Sequence, residues 1–139
     1  METAFEVIDH TADIGIIAYG ANVNQLFVNA SLGMSSLIID TDSINEHICR
    51  NLELSSQDTE TLLVEWLNEL IYIYEVEHII FRKFEIELRD NCHLQARCYG
   101  ESITPYKHTI KREIKAATYH MLNIHKTNNR YQAELIFDI

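Results

Sequence analysis

Apolar side chains recur every three or four residues in three stretches of the chain, which is the spacing that places them on one face of an α-helix. The clearest stretch carries a wide apolar stripe, made of Leu62, Leu63, Trp66, Leu67, Leu70, Ile71 and Tyr74. An earlier stretch follows Asn22 and Asn24, either of which can cap a helix, and it should end near Asp40. A third stretch lies beyond Pro105 and consists of Ile110, Ile114, Ala117 and Met121. The pattern predicts two to three amphipathic helices.

Alternating apolar and polar residues predict strands in much of the remaining chain. Two short β-prone segments flank a polar turn at residues 10–13, and residues 44–54 alternate more weakly. Residues 84–98 alternate on both sides of Asp90–Asn91, a pair that tolerates the positive φ of a tight hairpin turn. Residues 131–139 alternate to the end of the sequence. We therefore expect an N-terminal strand pair, a central hairpin and a C-terminal strand.

The order of these elements mixes hairpins with helices, which favours an α+β layer architecture over a doubly wound parallel sheet. The sequence has 139 residues, of which 47% are hydrophobic, and a chain of this size can bury one substantial core. One proline and four glycines leave little room for a linker. We expect residues 1–139 to form a single compact domain with mixed β-sheet layers and two to three helices.

The charge of the chain limits its partners. Eleven Lys and Arg residues stand against 21 Asp and Glu residues, a formal net charge of −10. Such an acidic surface repels phosphate backbones and anionic membranes, so we expect neither direct nucleic-acid binding nor membrane binding. Cations, or proteins with basic patches, are the expected partners. Three cysteines without a C-x-x-C pair, together with the lack of a secretory signal, indicate a cytoplasmic protein.

The sequence ends inside a strand pattern, at Leu135–Ile139, without a polar tail, so we expect this end to be held in place. The side chain of Asp138 and the α-carboxylate of Ile139 then lie one residue apart, and like charges at that distance repel each other. A hard divalent cation with oxygen ligands would neutralise them. A lysine or arginine partner, or simple solvation at a sheet edge, is the alternative.

Two further segments carry candidate chemistry. The turn at residues 10–15 offers His10, a hydroxyl group and the carboxylate of Asp13, although aspartate in a turn often only binds neighbouring backbone amides. Lys107, Lys111 and Lys115 are spaced i, i+4 and i+8 on the predicted third helix. They form either a solvated helix face or a contact for an anion or a partner.

The sequence lacks the signatures of a self-sufficient enzyme. It has no phosphate-binding loop, no G-x-G-x-x-G, no H-E-x-x-H and no G-x-S-x-G. Cys92 and Cys98 lie on the predicted hairpin, where a free cysteine is more often a small core residue than a nucleophile.

Several segments taken together resemble the archease family. They are FEVIDHTADIG at residues 5–15, LVEWLNEL at 63–70, Gly100–Glu101, EIKAATYH at 113–120 and the closing IFDI at 136–139. The segments run from end to end of the chain in the family's order, and the combination is far more specific than any one of them.

The resemblance implies an archease-like α+β fold and an accessory role. Archeases activate the RtcB-type RNA ligase, which joins RNA ends in tRNA splicing and RNA repair and forms a guanylylated histidine with GTP and manganese. The small protein promotes that guanylylation and multiple turnover. By this resemblance the chain is an activator of an RNA ligase and not itself an enzyme.

The family's metal site, to which calcium is often assigned, corresponds here to Asp13, Asp138 and the terminal carboxylate of Ile139. Calcium is the cation that the resemblance favours, with magnesium or manganese as alternatives. Lys115 matches a family position linked to activation, and His10 and Asp40 are further candidates for activation or partner contact. Thr104 departs from the family, which often has an acidic residue after the Gly-Glu step, and this difference puts the strength of the site in doubt.

Two other functions fit the same residues. The first is a small metal-dependent phosphoester hydrolase, in which Asp13 and Asp138 hold a cation that activates water while His10 or His120 transfers protons. The second is a general, chaperone-like protein-binding module, which the acidic surface and the missing catalytic set would suit.

Overall fold

The structure is a computed structural model of the chain and describes residues 3–9, 13–120 and 122–139. The strands and helices are, in chain order, β1 Phe5–Asp9, β2 Asp13–Gly20, α1 Val23–Ile38, β3 Ile48–Ser55, α2 Thr59–Glu77, β4 Ile79–Arg89, β5 His93–Ser102, β6 Ala116–Ala117, β7 Ile124–Thr127 and β8 Arg130–Asp138. A single 3-10 turn, Thr41–Ser43, follows α1.

The strands form two antiparallel sheets. In the first sheet the order is β1-β2-β8-β6, and β7 also pairs with β8. Strand β2 occupies one edge of β8, while β6 and β7 pair with opposite ends of its other edge. The second sheet has the order β3-β5-β4. The predicted hairpin is β4-β5, and Asp90 and Asn91 have φ values of 56° and 57° in its turn, as the sequence predicts.

Both helices begin at capping side chains, and the cap of α1 is one of the two asparagines that the sequence offers. Asn22 Oδ1 accepts the N–H of Gln25 at 2.8 Å, and Asp58 Oδ1 accepts the N–H of Thr61 at 2.7 Å. Helix α1 contacts β1, β2 and β8 of the first sheet and β4 of the second, so it links the two sheets. The indole N–H of Trp66 donates to Ser31 Oγ at 2.8 Å and joins the two helices inside the core.

The core is one cluster of apolar side chains from both helices and both sheets, and the α+β prediction is confirmed. Within the described ranges, no helix is long enough and apolar enough to cross a membrane. Residues 44–54 were expected to form a strand, and the observed strand is β3, which begins at Ile48.

The predicted third helix is wrong. Ile110 forms an isolated bridge with Ile39, and Ala116–Ala117 is a short strand. The N–H groups of Lys111 and Lys115 donate to the carbonyls of Ile38 and Asp138, at 2.7 and 2.8 Å, instead of closing helical turns. The helix-like spacing of the apolar residues in this segment therefore reflects their burial against other elements and not a helix. Met121, at the end of the predicted helix, lies outside the described residues.

Candidate functional site

Asp13 and Asp138 lie directly opposite each other in the first sheet. Asp13 opens β2, Asp138 closes β8, and the register makes them Cα partners. Opposite residues of an antiparallel pair present their side chains on the same face, with Cβ atoms about 4.5–5.5 Å apart. Ile139 follows Asp138 directly, and the residue is 46% exposed. We call Asp13, Asp138 and Ile139 the acidic corner.

The core immediately beside the corner fixes its geometry. The next pair along the ladder is Ile14 and Phe137, which are 3% and 0% exposed. A slip of one residue between β2 and β8 would turn Phe137 towards solvent, so burial of these side chains sets the register. One oxygen of Asp13, Oδ1, is itself buried, whereas Asp138 is exposed.

Lys115 reaches the corner through its backbone. Its N–H donates to the carbonyl oxygen of Asp138 at 2.8 Å, and the following residue, Ala116, is the Cα partner of Asp138. The residue itself is exposed. The structure thus brings together four of the sequence-predicted residues, Asp13, Lys115, Asp138 and Ile139, from distant parts of the sequence.

Residues 103–118 form what we call the crossing segment, which leads from the second sheet to the acidic corner. It follows closely after a buried carboxylate in β5, Glu101, which is 6% exposed. Glu101 Oε1 accepts from Lys107 Nζ at 2.9 Å, and Oε2 accepts from the N–H of Asn45 at 2.7 Å and from His108 Nε2 at 3.1 Å. Burial by itself raises the pKa of Glu101, but these hydrogen bonds outweigh it and lower the pKa to about 2.

The hydrogen bonds of His108 define its protonated nitrogen. The N–H of Thr104 donates to Nδ1 at 3.0 Å, so Nδ1 carries a lone pair, and the ring donates from Nε2 to Glu101. Thr104 therefore belongs to the turn that encloses this buried pair.

Two cations of the crossing segment bind the C-terminus of α1. Lys111 Nζ donates to the carbonyl of Ser36 at 2.9 Å, and Arg112 Nη1 donates to that of Leu37 at 2.7 Å. The last turn of α1 has no basic residue of its own, and cations near helical carbonyls are stabilising. The lysine row predicted for one helix face is thus divided: Lys107 pairs with Glu101, Lys111 caps α1, and Lys115 lies at the corner.

The other predicted residues have separate positions. Asp40 is the N-cap of the 3-10 turn, where its Oδ1 accepts the N–H of Asp42 at 3.1 Å. His10 lies outside the described residues. His120 is exposed, and its N–H donates to Thr118 Oγ1 at 3.3 Å.

The donor set of the corner suits a hard cation. Carboxylate oxygens are the ligands that calcium, magnesium and manganese prefer. Among the described residues, no group of three or more His, Cys, Asp and Glu side chains is arranged to hold a metal. The two aspartates are thus a partial site, which needs a further oxygen ligand. Burial raises the pKa of the Cys98 thiol to about 12, which makes it an unreactive core residue.

Sequence reasoning missed the roles of Glu101, His108 and Asn68. The sequence marked Glu101 only as part of the Gly-Glu step. The inward-facing residues of β5 alternate through Ala96, Cys98 and Gly100, and this alternation would place Glu101 on the solvent side. Asn68 lies within an apolar helix pattern and binds the backbone of Ala117. No local pattern reveals a partner 49 residues away.

Fold and corner together define a small α+β protein of two antiparallel sheets, with paired aspartates at the end of the β2-β8 ladder. The profile of the Archease protein family (MTH1598/TM1083) matches residues 5–139. The chain belongs to the archease family.

Two archease sequences align with this chain over nearly their whole length. Protein archease of Methanosarcina mazei is 40% identical over 139 residues, covering 97% of this chain and 95% of the relative. Protein archease of Pyrococcus abyssi is 35% identical over 139 residues, covering 97% and 98%.

Two solved structures share the fold. The solution structure of Methanobacterium thermoautotrophicum protein 1598 matches with a TM-score of 0.87 and 36% identity, covering 98% of this chain and 99% of that one. The crystal structure of a Thermotoga maritima archease, described as a possible chaperone, matches with a TM-score of 0.66 over 95% and 94% of the two chains. At 20% identity this second match concerns the fold alone.

Proposed function

We propose that this protein is an accessory factor of an RtcB-type RNA ligase, which it activates by promoting guanylylation and multiple turnover in tRNA splicing and RNA repair. Membership of the archease family supports this proposal. The observation that carries it is the pairing of Asp13 with Asp138 across the ladder. In this proposal the protein works in the cytoplasm, binds the ligase and not RNA, and catalyses no reaction alone.

The acidic corner holds a divalent cation in this proposal. The ligands are the carboxylates of Asp13 and Asp138 and the terminal carboxylate of Ile139, with calcium favoured over magnesium and manganese. Like charges placed opposite each other in a sheet are destabilising, and a cation between them removes that cost. A bound cation would supply concentrated positive charge at a surface that is otherwise acidic.

The protein's own residues then present that cation to the partner. Ile14 and Phe137, buried beside the corner, hold both strands in register. Lys115, exposed next to Asp138, adds a positive side chain for contact with the ligase. His10 and Asp40 remain secondary candidates for that contact.

Ligase guanylylation under multiple-turnover conditions tests the proposal. We expect wild-type protein to raise turnover, and Asp13→Ala and Asp138→Asn to abolish most of the gain while the fold persists. Glu87→Gln is the matched control, because it removes one exposed carboxylate from the second sheet. Equal activation by all four proteins would refute the acidic corner as the working site.

A second test adds residues after Ile139, which removes the carboxylate from its place beside Asp138. We expect weaker calcium binding and reduced ligase turnover. If the extended protein matched the wild type in both measurements, the terminal carboxylate would not be a ligand.

A general chaperone-like role is the second candidate, and the description of the Thermotoga maritima protein as a possible chaperone favours it. Activation of unrelated client proteins, unaffected by chelators, would support that role. Hydrolysis of phosphoesters by the purified protein without ligase would instead support the hydrolase hypothesis.

A further inference from the structure

The side chain of Asn68 binds both backbone groups of a single residue in the crossing segment. Its Nδ2 donates to the carbonyl of Ala117 at 3.1 Å, and its Oδ1 accepts the N–H of Ala117 at 2.8 Å. A neighbouring β-strand would satisfy these two groups in the same way. Asn68 therefore takes the place of the next strand beside β6.

Strand β6 needs such a partner because it is only two residues long. It pairs with the end of β8, through Ala116 opposite Asp138 and Ala117 opposite Phe137. Ordering the backbone of each residue costs about 1–2 kcal/mol in conformational entropy. A strand of two residues forms too few hydrogen bonds to offset that cost by itself. Asn68 adds two hydrogen bonds from α2. The residues that precede it in this helix, Trp66 and Leu67, are completely buried, so the helix is a firm support.

The bonds on the other side of β6 lead directly to the acidic corner. Lys115 N–H donates to the Asp138 carbonyl at 2.8 Å, and Thr118 binds the Ile136 carbonyl through its N–H and its Oγ1, at 3.0 and 2.9 Å. The end of β8 is thus held by β2 on one edge and by the Asn68-supported β6 on the other.

We infer that Asn68 is a positioning residue for the acidic corner: by holding β6 against β8 it fixes Asp138 and Lys115 relative to Asp13 and so sets the affinity for a cation. This inference rests on the proposed cation site. Groups that orient a ligand without touching the metal commonly change metal affinity by about 10–100-fold when removed.

The competing explanation is that Asn68 only stabilises the fold. Asn24 provides a matched control, because its Oδ1 accepts the N–H of Leu88 at 2.9 Å, which ties α1 to β4 in the second sheet. Both asparagines are helical residues that bind a distant backbone through a partly buried hydrogen bond. Of these two asparagines, Asn68 alone binds the segment that pairs with the end of β8.

Calorimetric titration of the full chain with calcium alone, and with manganese alone, separates the two explanations. The titrations are performed well below the melting temperature, so that every variant is folded. We expect Asn68→Ala to weaken cation binding by about tenfold or more. Asn68→Gln, which retains the amide, should recover part of the affinity. Asn24→Ala should lower the melting temperature but leave the cation affinity within about twofold of the wild type.

Amide hydrogen exchange without added metal gives an independent measurement. We expect the N–H groups of Lys115 and Ala117 to exchange faster in Asn68→Ala and to keep wild-type rates in Asn24→Ala. Unchanged exchange at Lys115, or equal cation affinity in the two alanine variants, would overturn the inference. If the wild type bound neither cation, the proposed site would fail, and exchange at Lys115 would then decide the positioning role alone. If Asn68→Ala did not fold, Asn68→Gln would take its place in both measurements.

Discussion

At the scale of single residues, Glu101 is the most constrained charge among those described. It is almost fully buried and accepts hydrogen bonds from a backbone N–H, a lysine and a histidine. A buried carboxylate is tolerable only when its oxygens are satisfied in this way. Its role is to fasten the start of the crossing segment to the loop at Asn45.

We predict that Glu101→Gln lowers the free energy of unfolding by about 2–4 kcal/mol at pH 7, because the glutamine amide would place a donor against other donors. The folded-state pKa of about 2 lies below the ordinary 4.5, so the carboxylate's contribution is complete above about pH 4.5 and disappears as the pH falls towards 2. The difference between variant and wild type should therefore shrink over that interval. Urea unfolding at several pH values measures it.

The control for this prediction is Glu87→Gln, on the exposed face of β4. Its effect should stay within about 0.5 kcal/mol, as for most surface substitutions. A difference between Glu101→Gln and wild type that did not change from pH 7 to pH 2 would contradict the role given to the charge.

At the scale of elements, β4 and β5 leave no room for a side chain at Gly100. A Cβ atom there would overlap the carbonyl oxygen of Ile80 and lie 2.7 Å from the Cα of Phe81, and the ladder shifts register between Phe81 and Lys83. Backbone atoms of paired strands cannot move aside separately. Glycine is therefore required where the strand turns towards Glu101 and the crossing segment.

We predict that Gly100→Ala destabilises the protein by about 3 kcal/mol, because the two strands must separate. Gly33→Ala is the control: its new methyl would meet the movable Ile16 Cδ1 at 2.8 Å, and alanine favours the helix by about 1 kcal/mol. Its net effect should be within about 1 kcal/mol. Chemical denaturation of both variants tests the comparison, and equal losses would show that the backbone overlap is relieved cheaply.

At the scale of the whole molecule, the net charge of −10 and the acidic corner should couple folding to cations. A ligand that binds only the folded state stabilises it by about 2.7 kcal/mol at a concentration one hundred times its dissociation constant. Chelation should reverse the effect.

We predict that saturating calcium raises the melting temperature of the wild type and raises that of Asp138→Asn much less. In chelator the variant should be at least as stable as the wild type, because it removes one of two opposed negative charges. Thermal unfolding with calcium and with chelator measures both. The same calcium-induced shift in the two proteins would place the cation elsewhere.

Particular residues mark how far the sequence could predict the structure. Capping by Asn22 and the positive φ at Asp90 and Asn91 follow from side-chain chemistry within a few residues, and each is observed. The third helix failed because the N–H groups of the crossing segment bind Ile38, Asp138 and Asn68, which no local pattern contains.

The sequence by itself determined the two observed helices and the hairpin, since each depends on local periodicity and composition, and the family resemblance pointed to Asp13 and Asp138 as candidate acids. Only the tertiary structure decided that these two aspartates are Cα partners and that Glu101 and Asn68 hold the segment leading to them. The physical reason is that register and long-range hydrogen bonds are selected by burial of the whole core, here by Ile14 and Phe137 at the corner.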